Sequence, residues 1–295
     1  MFGSIMSFSF AGFLQLASMR QRKIVFNVSS NKLNSDFHTF GSITIQALTM
    51  FCQLEICANS VTSALAAQEG GADRVELCQN LNIGGTTPSH GQIRLAMQLL
   101  HIGVHVLIRP RGGDFLYSTV EFEEMKADIA YCKEMGCTGV VFGLLKQDGR
   151  VDAERTGELV SLASPMQITF HRAFDVCHDA MEALETIIRC GCVRLLTSGM
   201  ERTALEGVER IGQLVAQAGE RIQIMPGSGI DAENVLTIAD ITGARAFHAS
   251  AKEPVRGNFK KPGEELGIDT QVWVSSKEKI RRLADRLKAM NTPGC

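Results

Sequence analysis

The chain has 295 residues, of which 45% are hydrophobic, and a formal net charge of −2. This length allows one large core or two small ones, and the balanced charge offers no basic footprint for nucleic acid or anionic lipid. Nine cysteines, an odd number without the spacing of a secreted disulfide framework, favour a reducing compartment. We therefore expect a cytosolic globular protein that binds neither nucleic acid nor membrane.

Residues 1–50 differ in composition from the rest of the chain. The first acidic residue is Asp36, and Ser, Phe and Met are abundant before it. The apolar stretch at residues 2–16 is too short and too interrupted for a spanning helix, and its basic cluster follows it. We interpret residues 1–50 as a disordered extension, with Met50 as the start of a shorter form. An organelle transit peptide is the alternative.

From Gln53 onward, apolar runs typical of β-strands alternate with helical patterns. There are eight such runs, and in order they read "LEICA", "RVELC", "HVLIRPR", "GVVFGLL", "QITFHRAF", "RLLTSG", "IQIMPGSG" and "RAFHAS". They begin roughly 20 to 35 residues apart, the size of a β-helix-β unit with parallel strands. Eight such repeats, with no G-x-G-x-x-G after the first strand, favour a closed barrel over a doubly wound nucleotide-binding sheet. We predict a single (β/α)8 TIM barrel over residues 51–295, with a closing helix at 276–290.

Polar side chains recur on one face of several predicted strands. "LEICANS" and "VELCQN" each place a glutamate and a cysteine two residues apart, so Glu55 shares a face with Cys57, and Glu76 with Cys78. A carboxylate is rarely buried without a partner, so this face should line the barrel lumen rather than pack under helices. The alternative for the thiols is that they fill the upper lumen as small apolar groups.

The catalytic sites of TIM barrels lie at the C-terminal ends of the strands. Strand alternation brings a polar set to this end, and its members are Glu55, Glu76, Arg109, His171 and His248. A structural alternative remains open, in which the glutamates and arginines only neutralise each other as ion pairs.

Two loops add groups that could bind an anion. "RPRGGDF" places two arginines beside a Gly-Gly turn, while "MPGSGI" and "HAS" follow the last two strands, where barrels often bind phosphate. The alternative is a tight turn that only requires glycine, and Asp231 would repel an anion there. The predicted anion-binding set is Arg109, Arg111, Gly227, Ser228, Gly229, His248 and Ser250.

Six segments, "GGTTPS", "RPRGGDF", "FHRAFD", "LTSG", "MPGSGI" and "FHAS", occur in this order at predicted strand ends. Together they resemble the copper homeostasis protein CutC family over about residues 53–290. The resemblance implies a (β/α)8 barrel, self-association as a dimer or tetramer, and a role in copper handling. It also implies a cytoplasmic location, with the nucleus as a further compartment.

We therefore carry three hypotheses for function. The leading one is Cu(I) binding by the thiolates of Cys57 and Cys78, since neighbouring strands lie about 5 Å apart and Cu(I) prefers soft sulfur ligands. The alternative is an enzyme for a small phosphorylated or carboxylated compound, with its anion held by Arg109 and Arg111. The acid and base of that enzyme would come from Glu55, Glu76 and His171. The third is a barrel without catalysis that serves as a binding or assembly module.

Overall fold

A computed structural model of the chain describes residues 51–255 and 271–291. Eight parallel strands form one sheet, in the order β7-β6-β5-β4-β3-β2-β1-β8. A bridge between Gly227 and His248 joins the two ends of the sheet and closes it into a barrel. The strands are β1 Gln53–Ala58, β2 Arg74–Leu77, β3 Gly103–Leu107, β4 Gly139–Phe142, β5 Gln167–Phe170, β6 Arg194–Thr197, β7 Gln223–Pro226 and β8 Ala246–Ala249. The predicted TIM barrel is confirmed.

Helices alternate with these strands and surround the barrel. They are α1 Val61–Gly70, α2 His90–Leu99, α3 Thr119–Glu134, α4 Ala153–Ala163, α5 Ala180–Cys190, α6 Val208–Ala218, α7 Val235–Thr242 and α8 Lys277–Asn291. The last helix differs by one residue at each end from the predicted range. No helix in the described part of the chain is long and apolar enough to cross a membrane. The predicted extension, residues 1–50, lies outside the described residues and stays a prediction.

A short antiparallel ribbon precedes α8 and was not predicted. Its strands, β9 Lys252–Val255 and β10 Val272–Ser275, have four residues each, which is too few for a clear alternating pattern. Elsewhere the helix boundaries follow local chemistry. Ser118 and Glu121 form a reciprocal capping box at the start of α3, and Gly71 ends α1 in the left-handed region.

The strand residues pack on two sides. Side chains such as Ile56, Phe142 and Phe247 point outward and are fully buried under the helices, where Ile280 and Leu283 of α8 also pack. The alternate residues face the lumen. This alternation is what the sequence predicted, because successive side chains of a strand point to opposite faces.

Strand register divides the lumen into two levels. Glu55 of β1 pairs with Arg74 of β2 and with His248 of β8, whereas Cys57 pairs with Glu76. The Glu-x-Cys motif of β2 is therefore shifted by two residues toward the C-terminal end relative to the motif of β1. We call the level of Glu55 and Arg74 the lower lumen. The level of Cys57, Glu76 and the residues above them is the upper lumen.

Candidate metal and ligand site at the barrel mouth

A pocket of about 430 Å³ opens at the C-terminal ends of the strands, above the upper lumen. Four of the five polar residues predicted to meet at this end line it, namely Glu76, Arg109, His171 and His248. Apolar side chains form the rest of its wall, including Leu81, Leu107, Phe115, Leu196 and Ile230. The pocket therefore combines a small number of charged groups with a mainly apolar surface, as ligand sites commonly do.

Cys57 lines this pocket, and its sulfur lies 3.5 Å from that of Cys78, which is fully buried behind it. Both thiols are buried and pack against Leu107 and Val141. The hydrogen bond between the thiols, together with burial and the charge of Glu76, raises the pKa of Cys57 well above its usual value. Cys57 is therefore a thiol at neutral pH, and a bound metal would have to displace its proton.

Two further potential ligands lie beside Cys57. The ligand atoms of Cys57, Glu76 and His248 are all within 4.8 Å of one another. Nε2 of His248 is 3.7 Å from Glu76, and Nδ1 is 2.8 Å from Glu55. Burial works to lower the pKa of His248, but these carboxylates and Cys57 outweigh it and raise the pKa well above its usual value. For Glu76, burial raises the pKa.

Glu55 does not reach the pocket. It is fully buried in the lower lumen, where its carboxylate accepts a hydrogen bond of 2.6 Å from Nε of Arg74 and also contacts His248. Burial works to raise its pKa, but Arg74 and His248 together hold it well below its usual range. The register of β1 thus places Glu55 beneath the barrel mouth, where both its oxygens already have partners. Glu55 therefore forms a structural ion pair with Arg74.

His171 lies on the pocket wall as a neutral imidazole. Its Nδ1 accepts a hydrogen bond of 3.2 Å from the backbone N–H of Ala173, and burial and the nearby charge of Arg109 lower its pKa to about 3. Because Nδ1 is an acceptor, Nε2 must carry the proton of the neutral ring. Gly143 makes room for this ring, since a Cβ there would lie 2.5 Å from Nδ1. His171 can thus donate a hydrogen bond from Nε2, but Nε2 has no free lone pair to accept a proton.

Arg109 and Arg111 take different directions. The Arg109 guanidinium is buried at the pocket, where it donates to the carbonyl oxygens of Ile83, Gly85 and Gly113. The Arg111 side chain is 38% exposed, and ion pairs with Glu121 and Asp114 hold it outside the pocket. Since the intervening residue is proline, we attribute this difference to the loop rather than to strand alternation.

The loops after β7 and β8 contribute only part of the predicted anion-binding set. Ser228, Gly229 and Ser250 line the pocket. Gly227 instead donates its N–H to the carbonyl of Thr197 at 2.9 Å, and a Cβ at this position would lie 2.5 Å from Leu196. Gly227 is therefore required for close packing at the barrel closure.

Asp231 does not line this pocket, and its Oδ1 accepts the N–H groups of Glu233 and Asn234.

Sequence reasoning missed two polar residues of the pocket, although both stand in the quoted segment "FHRAFD". Arg172 and Asp175 belong to the 3₁₀ helix Arg172–Val176 after β5 and form an ion pair of 2.7 Å. The Asp175 carboxylate also accepts hydrogen bonds from the Thr197 hydroxyl and from Ser198. This network fixes the loops after β5 and β6 against each other.

The fold and the pocket define a (β/α)8 barrel with a paired thiol site at its mouth, and comparisons with known proteins agree with the fold. The sequence matches the CutC family over residues 52–253. A "family protein CutC" from Chromobacterium violaceum is 50% identical over 216 residues, which are 72% of this chain and 87% of the relative. One from Bacteroides fragilis is 43% identical over 243 residues, 81% of this chain and 97% of the relative.

A solved structure is similar over the same region. It is the crystal structure of a proposed copper homeostasis protein CutC from Streptococcus agalactiae. It has a TM-score of 0.65 and 36% identity, and covers 68% of this chain and 99% of its own. The chain described here belongs to the CutC family, as the sequence segments predicted.

Proposed function

We propose that this protein binds Cu(I) through Cys57 and Cys78 and takes part in copper homeostasis. The observation that carries the proposal is the 3.5 Å separation of the two sulfur atoms, one of which, that of Cys57, belongs to a residue lining the pocket. A separation this short lets one soft ion contact both sulfurs after small side-chain rotations. Thiolates are the protein ligands that Cu(I) prefers, so the donor chemistry fits the ion.

The surroundings of the sulfurs support the same ion. His248 lies next to Cys57, and its imidazole would be an acceptable third ligand for copper once it loses the proton that its raised pKa retains, whereas the Glu76 carboxylate suits harder ions. Burial of both thiols would shield bound Cu(I) from water and dissolved oxidants. Because the pKa of Cys57 is raised, binding releases protons, and the affinity should fall as pH falls.

The family relationship supports the physiological part of the proposal, since one similar structure carries the name of a copper homeostasis protein. We also propose a cytosolic location, because the eight cysteines within the described ranges are all free and a reducing compartment would keep them so. Self-association as a dimer or tetramer stays a prediction, for which sedimentation of the reduced protein is the direct measurement.

The test is an anaerobic titration of the reduced protein with Cu(I) against a competing chelator. Replacing both Cys57 and Cys78 with serine should lower the affinity at least about 100-fold, since serine oxygen is a much harder ligand. The matched control replaces Cys132 and Cys137, another neighbouring pair of buried thiols that packs in the outer core. The control should bind as the wild type does.

Circular dichroism would verify that both double variants are folded. Unchanged Cu(I) affinity in the Cys57 and Cys78 double variant would contradict the proposed site. An equal loss in both double variants would show that the effect is not specific to the barrel mouth, and this too would contradict it.

A further inference from the structure

We infer that the pocket above the two sulfurs is a binding site for a small organic carboxylate with an apolar body. The pocket measures about 430 Å³, far more than a single metal ion occupies. Pockets that bind small molecules are typically about 300–1,000 Å³. The inference concerns the volume above the sulfurs and does not require that they bind copper.

Charge on the pocket wall favours an anion. Arg172 is neutralised by Asp175 at 2.7 Å, and Glu76 faces His248 at 3.7 Å. Arg109 has no carboxylate partner within the described ranges of the chain, although its guanidinium is buried. A buried charge without a counter-charge is costly, so an anionic ligand beside Arg109 would be stabilised.

Unused hydrogen-bond donors support the same location. Nε of Arg109 and Nε2 of His171 are both buried, and neither has a hydrogen-bond partner in the part of the chain that the structure describes. The Phe115 ring lies against both groups, at 5.0 Å from the Arg109 guanidinium and 5.1 Å from the His171 ring. Each of these N–H groups could donate to a carboxylate oxygen, and a buried donor left unsatisfied costs about 1–3 kcal/mol.

The remaining wall indicates what the ligand carries besides its acid group. Leu107, Phe115, Leu196 and Ile230 offer an apolar surface that inorganic phosphate or acetate would leave uncovered. Burying apolar ligand surface here would contribute roughly 25 cal/mol per Å². The pocket therefore favours a carboxylate with an aromatic or branched aliphatic body over a bare inorganic anion.

A ligand-detected NMR screen of the full-length reduced protein at low salt would test this inference. The probes are benzoate and a set of branched aliphatic carboxylates, with their neutral amides as matched controls and phenyl phosphate and inorganic phosphate as comparisons. At least one carboxylate should bind more tightly than about 10 mM and at least about 10-fold better than its amide. Tighter binding of phenyl phosphate than of every carboxylate would overturn the choice of acid group.

Two substitutions locate the binding. His171→Asn keeps an acceptor for the Ala173 N–H but removes the Nε2 donor, so it should weaken the best carboxylate at least about 5-fold. Ser250 lies on the pocket wall, where glutamate and glutamine substitutions have nearly the same size and differ in charge. The Ser250→Glu variant should bind the carboxylate at least about 10-fold more weakly than the Ser250→Gln variant.

Replacement of Arg109 is a poorer test, because this side chain also holds three backbone carbonyls and its loss would disturb the loops.

The outcomes separate this inference from copper binding. Cys78 does not line the pocket, so Cys78→Ser should weaken Cu(I) binding and leave carboxylate binding within about 3-fold of the wild type. Absence of binding by every carboxylate, or equal binding by the Glu and Gln variants at position 250, would overturn the inference even if Cu(I) still binds.

Discussion

The lower and upper lumen are built from the same strands but use their polar groups differently. In the lower lumen, Glu55 bonds to Arg74 and His248, and Arg194 donates to the side chains of Gln167, Thr169 and Gln223. In the upper lumen, Arg109 has no ion pair among the described residues and Nε2 of His171 is an unused donor. The thiols of Cys57 and Cys78 lie side by side there. The charges at the base of the barrel therefore pair with one another and stabilise it, although neither ring nitrogen of His105 beside Glu55 has a hydrogen-bond partner among the described residues. At the mouth, Arg109 has no counter-charge among those residues, so this end can bind an anion.

The largest expected effect is on stability, from a substitution in the lower lumen. Glu55→Gln should lower the free energy of unfolding by about 3 kcal/mol, because Arg74 would keep its buried charge without a counter-charge and His248 would lose the nearer of its two carboxylates. The matched substitution in the upper lumen, Glu76→Gln, should cost less than about 1 kcal/mol, since the ion-pair partner of Glu76 is His248 at 3.7 Å, and His248 keeps the nearer Glu55. Urea unfolding measures both. A similar loss for the two variants would contradict the division of the lumen.

Stabilisation by Cu(I) should follow the opposite pattern. At free Cu(I) about 100-fold above the Kd, the wild type should gain about 2.7 kcal/mol, because the ion binds the folded state. Glu55→Gln should keep this gain although its starting stability is lower. The double variant with serine at Cys57 and Cys78 should keep most of the starting stability but should not be stabilised by Cu(I). Thermal unfolding with and without Cu(I) would measure this, and a gain that survives in the serine variant would contradict the site.

Acid should destabilise the barrel through two buried neutral histidines. Burial lowers the pKa of His105 on β3, whose Nδ1 lies 3.8 Å from Glu55, to about 4, and that of His171 at the mouth to about 3. The unfolded chain binds protons at these residues below about pH 6.5 while the folded protein does not, so stability falls as pH falls toward the folded values. Between pH 7 and pH 5, each histidine should cost about 2 kcal/mol.

His171→Asn should remove one of these two contributions, so that the wild type loses about 2 kcal/mol more than the variant between pH 7 and pH 5. Urea unfolding at the two pH values measures this difference directly. Identical pH dependence in the two proteins would show that His171 is not held neutral in the folded state.

The smallest effect is expected outside both regions. A shorter chain that begins at Met50 should unfold within about 2 °C of the full-length protein and bind Cu(I) equally well, because residues 1–50 contain no predicted barrel element. Differential scanning calorimetry of the two chains would check this. A large decrease in the unfolding midpoint would indicate that the N-terminal segment packs against the barrel.

The sequence alone determined the architecture and the side of each strand that faces the lumen. Eight apolar runs at regular spacing required parallel strands, and a side-chain repeat of two residues placed Cys57, Cys78, Glu76 and His248 inside the barrel. These are local properties, because they depend on the order of residues within one strand. For the same reason, the quoted segments were sufficient to predict the family.

The position of each group along the barrel axis and its hydrogen-bond partners followed from tertiary contacts. The two-residue offset between β1 and β2 buried Glu55 with Arg74, and a turn after β3 directed Arg111 to Glu121 instead of to the pocket. The hydrogen bond that the Ala173 N–H donates to Nδ1 of His171 places the proton of the neutral ring on Nε2. Strand register, loop direction and hydrogen-bond partner each depend on residues distant in sequence, so no pattern within a single strand could have specified them.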